Sequence, residues 1–246
     1  MLWGSFGTVH ILTLLLGAGI IVGLYYLLKC FSAKVQTIVL GILSFSGITA
    51  IIFNLVTWGT PFEYLPLHLC SLTALVLPIA VFTRNKTLGN LLLLWSLGAV
   101  MAIVVNNAQA NFEILSPTFF FYFFPHLLEF GIPVLLFKLG LVKKDFKCIG
   151  STLLITLCVY TLVHFANVTL NSYFVEHQIL NPSGALVQVN YMYSIKPENP
   201  IMAIFWSWIP YEFFYMAPVV AIVLIYLLVI YSKQIAAYWK QRSAHK

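Results

Sequence analysis

The sequence predicts an all-α protein, a polytopic helical bundle that crosses a membrane about seven times. Three observations lead to this fold class. Of the 246 residues, 61% are hydrophobic and 8% are charged, whereas a soluble domain has about 25% charged residues. The apolar residues form long continuous stretches, and the basic residues fall on alternate connections between them. Composition therefore argues against a soluble enzyme, a nucleic-acid-binding protein and a disordered chain.

A helix needs about 20 mostly apolar residues to cross roughly 30 Å of hydrocarbon. Seven stretches meet this requirement, and their uninterrupted apolar character favours helices over the alternating strands of a barrel. They are residues 9–28, 37–58, 65–82, 88–105, 118–138, 148–169 and 201–231. Because the last stretch is long and contains Pro200, Pro210 and Pro218, we expect an interfacial turn before its true span. We expect one membrane domain over residues 1–246.

The basic residues predict the orientation of the chain. The C-terminal tail and the connections after the first, third and fifth stretches carry 12 of the 13 Lys and Arg residues, and only Lys196 lies on the other side. The positive-inside rule then places the N-terminus outside and the C-terminus in the cytoplasm. The net charge of +6 therefore marks a membrane face and no nucleic-acid partner. We predict a multi-pass protein of the cell membrane whose partners are lipids, as substrate or as solvent, and its oligomeric state is left open.

The longest connection, residues 170–200, faces the predicted outside. It contains Asn181-Pro182-Ser183-Gly184, a strong turn signal. We expect this connection to fold over the outer end of the bundle.

Polar residues within the apolar stretches gather in their predicted outer halves. Such residues are costly in a bilayer and usually face the interior of the bundle. At 1.5 Å per residue, His126 and Glu129 lie about 12–17 Å deep in the fifth stretch, and His68 and Cys70 lie near the start of the third. We therefore predict a polar cavity open to the outside or to the outer leaflet. Its further members are Asn106, Asn107, Asn167 and Glu212.

Cys70 is the cysteine that falls within this polar set, and His126 is the natural base for it. A nucleophile and its base are commonly supplied by different elements, and these two lie at comparable depth on different helices. Glu129 is three residues after His126, on the same helix face, where it would orient the imidazole and stabilise its protonated form. A packing role for Cys70 and a purely structural polar pair of His126 and Glu129 remain alternatives.

The other candidates have less specific roles. His68 precedes Cys70 by two residues, about 200° around a helix, so it either lines a neighbouring part of the cavity or caps the bundle. The amides of Asn106, Asn107 and Asn167 are candidate oxyanion donors by type and depth, and Glu212 is a candidate polar group of the pocket. The sequence has no CxxC pair, Walker A loop, HExxH, GxSxG or dinucleotide fingerprint, so we predict no metal and no cofactor.

Three segments resemble a known family. The first segment begins with Leu65-Pro66-Leu67-His68-Leu69-Cys70 and also includes residues 77–80 and 83–86. This pattern looks like the signature of the YwaF-type bacterial integral membrane proteins. The aromatic run before His126 fits the same family, as does Asn190-Tyr191-Met192-Tyr193 before a Trp-rich final helix. The resemblance covers most of the chain.

That family is related to an animal multispan acyltransferase of ether phospholipids, whose chemistry is ascribed to a cysteine in the matching HLC string and to a later histidine. It is also distantly similar to the androgen-inducible lipid hydrolases, which pair a threonine with a histidine. The resemblance therefore implies that Cys70 and His126 are the catalytic residues.

Two functions follow as hypotheses. The first is a cysteine-dependent lipid acyltransferase or lipid ester hydrolase with a site that faces the outer leaflet. The second is a small-solute transporter or a ligand-binding multispan protein without catalysis. Transporters usually show repeats and broken helices near the midplane, and the one-sided polar set without an evident repeat argues against alternating access.

Overall fold

A computed structural model describes residues 2–4, 6–58, 60–105 and 112–244. Six helices or joined helical segments in these ranges are long and apolar enough to cross a membrane. This confirms the prediction of a multi-pass, all-α membrane protein. The chain folds into two compact units, residues 1–143 and 144–246.

The described residues of the first unit form six α-helices and one short two-stranded ladder. The helices are α1 (Thr8–Leu28), α2 (Ala33–Ser44), α3 (Ser46–Thr57), α4 (Leu69–Thr83), α5 (Lys86–Val104) and α6 (Pro117–Lys138). The ladder pairs β1 (Leu2–Trp3) with β2 (Phe112–Glu113) in antiparallel register. α2 and α3 together form one apolar span of 25 residues. Sequence patterning did not anticipate the ladder, since each strand has only two residues.

α4 differs most from the predicted third span. It begins at Leu69, whereas the apolar stretch begins at residue 65, and it has 15 residues. At 1.5 Å per residue it is about 22 Å long, shorter than the hydrocarbon layer. The residues before it include a 3₁₀ turn at Pro61–Tyr64. Pro66 disfavours a helical conformation at the preceding residue, so an apolar composition there does not produce a helix.

Polar caps and one left-handed residue set the helix boundaries of this unit. The Asn85 side chain accepts from the backbone N–H of Leu88, and the Ser116 hydroxyl accepts from that of Phe119. Each cap satisfies an otherwise unpaired donor at a helix start. Arg84, with φ of 50°, ends α4 and turns the chain directly into α5.

The predicted inner halves of α4, α5 and α6 hold the apolar core of the first unit. Leu77, Leu92 and Ile132 are each at most 1% exposed and belong to one cluster. At the opposite end, the buried Trp3 ring packs against Phe119 and donates its indole N–H to Thr13. Polar side chains are buried at both ends of the unit, since Gln36 and Asn90 on the predicted cytoplasmic side are also buried.

The second unit consists of three helices joined by irregular segments. They are α7 (Ile149–Glu176), α8 (Pro200–Trp208) and α9 (Ala217–Ala244). The predicted span 201–231 is thus divided, and the expected turn before the true span is confirmed with Pro210 between the two helices. α7 extends seven residues beyond the predicted end at residue 169. Gln234 of α9 bonds the backbone of Lys144 and Phe146, which ties α9 to the start of the unit.

Residues 177–199 pack on the last turns of α7. The predicted turn is confirmed, because Asn181 accepts from the backbone of Ser183 and Gly184 and Gly184 adopts a φ of 81°. Further along, Asn171 of α7 exchanges two hydrogen bonds with the backbone of Val189. We call residues 177–199 the cap segment.

Candidate functional site

Cys70 lies in the first turn of α4 and is partly buried. The residue before that helix, His68, has extended backbone angles of −75° and 153° and is its N-cap residue. The start of α4 packs closely on α5, because a Cβ built on Gly98 would lie 3.3 Å from Leu69 Cδ2. Cys70 is therefore held at the N-terminal end of a helix, where backbone N–H groups are unpaired and the helix dipole is positive.

His126 lies near the middle of α6, and one of its nitrogens has a defined role. His126 Nδ1 is 2.6 Å from the carbonyl oxygen of Tyr122. A carbonyl oxygen only accepts, so Nδ1 carries the hydrogen and donates it. In the neutral imidazole, Nε2 then has the free lone pair. The Tyr122 ring packs on the imidazole at a centroid distance of 4.7 Å, which further fixes the ring orientation.

Glu129 lies at a tight junction of three helices. A Cβ built on Gly47 of α3 would lie 2.9 Å from Glu129 Oε1 and 2.5 Å from the Cβ of Ala74 on α4. Glycine is therefore needed at position 47 for α3, α4 and α6 to approach this closely. Glu129 is 4% exposed, and its Oε2 has no hydrogen-bond partner. We call these three residues, Gly47, Ala74 and Glu129, the Gly47 junction.

The Gly47 junction fixes the register between α4 and α6. Consecutive membrane spans alternate in direction, so α4 and α6 run the same way. Cys70 lies four residues before Ala74, and His126 lies three residues before Glu129, so each is on the same helix face about one turn further out. The Glu129 carboxylate interacts electrostatically with both His126 and Cys70. The structure thus brings Cys70, His126 and Glu129 into one neighbourhood.

Within this neighbourhood, no hydrogen bond of the described chain joins the Cys70 thiol to the His126 imidazole. Catalytic hydrogen bonds are often long or unformed before substrate binds. The imidazole of His126 donates its orienting hydrogen bond to the Tyr122 carbonyl, and Tyr122 was not among the predicted site residues. The spacing of four residues between Tyr122 and His126 indicates this contact, because a side chain on a helix lies beside the backbone carbonyl one turn earlier.

Two prolines increase the number of unpaired acceptors near the junction. A proline has no N–H to donate to the carbonyl four residues earlier. Pro78 therefore leaves the Ala74 carbonyl without its helical donor, and Pro133 does the same for Glu129. The junction is consequently rich in negative electrostatic potential.

His68 lies outside the helix that contains Cys70. The 200° separation around a helical wheel therefore does not apply to this pair. Burial lowers the pKa of His68 to about 4, because a charged imidazolium is poorly solvated there. Its imidazole is therefore neutral at physiological pH.

The remaining candidates lie outside the described part of the first unit. Asn106 and Asn107 lie outside the described residues. Asn167 is fully buried in the second unit, where its amide N–H groups donate to the Tyr191 carbonyl and to the Ser194 hydroxyl. It therefore has no N–H left for an oxyanion. Glu212 lies in an exposed turn between α8 and α9 and not in the outer half of a helix as predicted, because Pro210 interrupts the apolar stretch. Among the described residues, no group of three or more His, Cys, Asp or Glu could hold a metal ion.

Comparison with known proteins gives one match. The model of the TMEM164 family matches residues 5–231. No curated protein and no solved structure matches the chain.

Proposed function

Because the chain belongs to the TMEM164 family, we propose that it is a cysteine-dependent enzyme that moves acyl groups of membrane lipid esters to a second lipid or to water. The observation that carries this proposal is geometric: Cys70 on α4 and His126 on α6 each lie one helical turn from the Gly47 junction, where the two helices pack together. We also propose that the relation to the YwaF-type proteins and to the animal acyltransferase extends to this pair of residues.

His126 acts as the general base through Nε2. The hydrogen bond from Nδ1 to the Tyr122 carbonyl supports this assignment, because it leaves Nε2 as the acceptor. Cys70 would transfer its thiol proton to Nε2 and become the thiolate, the nucleophilic form of cysteine. Burial disfavours that charge, and the position of Cys70 in the first turn of α4 offsets part of the cost.

The proposed reaction has two halves. In the first, the Cys70 thiolate attacks the carbonyl carbon of a lipid ester, the ester C–O bond breaks, and the His126 imidazolium returns its proton to the departing alcohol. In the second, the hydroxyl of an acceptor lipid or of water gives its proton to His126 and attacks the thioester. The acyl group leaves sulfur, which regains the proton, and the enzyme is restored.

We propose that Glu129 supports His126 as a nearby polar group and not by a direct hydrogen bond. The imidazolium formed in each half-reaction lies one helical turn from the buried Glu129 side chain and from the carbonyls that Pro78 and Pro133 leave without a helical donor. These groups are fixed before the reaction, so they stabilise the developing positive charge without reorganisation. Glu129 is therefore proposed as a positioning residue that acts on His126.

An apolar surface between α3 and α6 offers room for an acyl chain. A groove of about 310 Å³ is lined by Phe53, Val56 and Phe121 with neighbouring α3 residues. The rings of Phe53 and Phe121 stack at 4.2 Å. Phe121 is five residues before His126 on α6, about 140° around the helix, so an acyl chain in this groove would lie beside the site and not against the imidazole.

The test uses purified protein in vesicles that contain a deuterium-labelled phospholipid and an unlabelled lysophospholipid. Labelled product and free fatty acid are measured by mass spectrometry. We expect both activities to be lost in Cys70→Ala and His126→Gln and to persist in Cys158→Ala, which changes an exposed cysteine of the second unit. Full activity in a folded Cys70→Ala variant would refute the cysteine mechanism. Such a result with solute uptake by the same vesicles would favour the transporter or ligand-binding alternative.

A further inference from the structure

A second polar cavity lies in the second unit, between α7 and the cap segment. It has a volume of about 190 Å³, and its lining includes Asn171, Gln188, Asn190, Lys196 and Glu198. All of these residues belong to one compact unit. The proposed acyl-transfer mechanism uses none of them.

Lys196 is the exception to the charge distribution of the whole chain. The other 12 basic residues lie on the predicted cytoplasmic side, and a lysine on the opposite side works against the positive-inside rule. Within the part of the chain that the structure describes, Lys196 has no ion-pair partner. Its charge is thus available to a ligand, although Glu198 lines the same cavity.

Asn190 holds this part of the cavity wall in place. Its side-chain oxygen accepts from the backbone N–H of Ile195 at 2.9 Å. Its amide nitrogen donates at 2.8 Å both to the Lys196 carbonyl and to Glu198 Oε1. The Tyr215 hydroxyl donates to the same Lys196 carbonyl at 3.0 Å. The backbone of Lys196 and the carboxylate of Glu198 are therefore held in place, which reduces the entropy lost on binding.

The free polar groups of the cavity define the chemistry of its ligand. Asn171 and Asn190 use their amides on the protein itself, whereas the Gln188 side chain has no hydrogen bond in the described residues. Lys196 offers a cation, and Glu198 offers a carboxylate oxygen besides the one bound to Asn190. A simple anion would be attracted by Lys196 and repelled by Glu198, so a ligand with both charges fits best.

We propose that this cavity binds a small zwitterion that has one anionic group and one primary ammonium. The anionic group lies against Lys196, and the ammonium donates to Glu198 and to the Gln188 side-chain oxygen. A quaternary ammonium is usually bound by aromatic rings, and no aromatic residue lines the cavity. Two sources carry this chemistry, namely the head group of an aminophospholipid and a free amino acid. The site is independent of the proposed acyl transfer.

The test measures binding by isothermal titration calorimetry on the whole protein in nanodiscs of phosphatidylglycerol, a lipid without an amine. The probes are glycerophosphoethanolamine and β-alanine, with glycerophosphocholine for comparison. We expect saturable binding of at least one primary-amine probe, weakened about tenfold or more in Lys196→Gln and in Glu198→Gln. The matched control, Lys240→Gln, changes an exposed lysine near the end of α9 and should bind as the unmodified protein does.

Binding of glycerophosphoethanolamine alone assigns the site to a phospholipid head group, and binding of β-alanine assigns it to a soluble zwitterion. The proposal is overturned if neither probe binds, if glycerophosphocholine binds as tightly, or if both charge variants bind normally. Both substituted side chains are exposed, and size-exclusion chromatography checks that the variants stay folded. Because binding is measured without any acyl-transfer step, failure of this proposal leaves the Cys70 mechanism untouched.

Discussion

Replacement of Gly47 by alanine should destabilise the first unit, although alanine normally stabilises a helix. The new Cβ would lie 2.5 Å from Ala74 Cβ and 2.9 Å from Glu129 Oε1, whereas non-bonded carbon atoms are best separated by about 3.5–4.0 Å. α3 must therefore move by roughly 1 Å from α4 and α6. Overpacking of this kind costs about 1–3 kcal/mol, and the helix propensity of alanine returns about 0.5–1 kcal/mol. We expect a net loss of about 1–2 kcal/mol.

Gly23→Ala is the matched control, because it makes the same change on α1 of the same unit, where nothing lies within 4 Å of the added Cβ. That variant should gain about 0.5–1 kcal/mol. Thermal unfolding of both proteins in one detergent measures the difference, and Gly47→Ala should also lose acyl-transfer rate because Glu129 is displaced. If Gly47→Ala unfolds at the same temperature as Gly23→Ala, or higher, the packing of the Gly47 junction is wrong.

Three further changes test the same neighbourhood. Tyr122→Phe removes the hydroxyl that donates to the Ala102 carbonyl at 2.9 Å and should cost about 1 kcal/mol of stability. The acyl-transfer rate should stay unchanged, because His126 bonds the backbone of residue 122 and not its side chain. A large loss of rate would contradict this assignment. Glu129→Gln replaces the carboxyl group by an amide of nearly the same shape, which cannot ionise when the imidazolium forms. We expect kcat to fall about tenfold with little change in KM, and an unchanged kcat would leave Glu129 a structural residue. The pKa of His68 is about 4 in the folded protein and about 6.5 in the unfolded chain. As the pH falls, the unfolded state therefore binds a proton before the folded state does. The free energy of unfolding should consequently decrease as the pH drops from 6.5 towards 4. His68→Gln should flatten that decline in thermal unfolding at pH 7 and pH 5, and an unchanged decline would contradict the role of His68.

The lengths of the apolar stretches predicted most of the membrane helices. A helix allows about 20 apolar residues to cross the lipid with their backbone hydrogen bonds satisfied within the segment. The proline-containing stretch 201–231 was predicted to turn before its span for an equally local reason. The start of α4 was not predictable in this way. Residues 65–68, Leu-Pro-Leu-His, extend the apolar stretch, but Pro66, the 3₁₀ turn at Pro61–Tyr64 and the extended N-cap at His68 place the helix start at Leu69.

The candidate site was predictable in its parts and less so in its arrangement. The one-sided placement of polar residues selected Cys70, His126 and Glu129 without coordinates. The role of Gly47 could not be found this way, because a glycine within a helix has no signature until a second helix is packed on it. Asn167 illustrates the opposite error, since residue type and depth suggested an oxyanion donor, whereas tertiary hydrogen bonds to Tyr191 and Ser194 occupy its amide.

The central claim is that Cys70 carries the acyl group, with His126 as its base. Its most direct test is peptide mass spectrometry on protein incubated with a phospholipid that carries a labelled acyl chain, followed by neutral hydroxylamine, which cleaves thioesters. The account predicts a hydroxylamine-sensitive acyl group on Cys70, formed much more slowly in His126→Gln and equally well in Cys158→Ala. An acyl group on another residue, or none on Cys70 in protein that is turning over lipid, would contradict it.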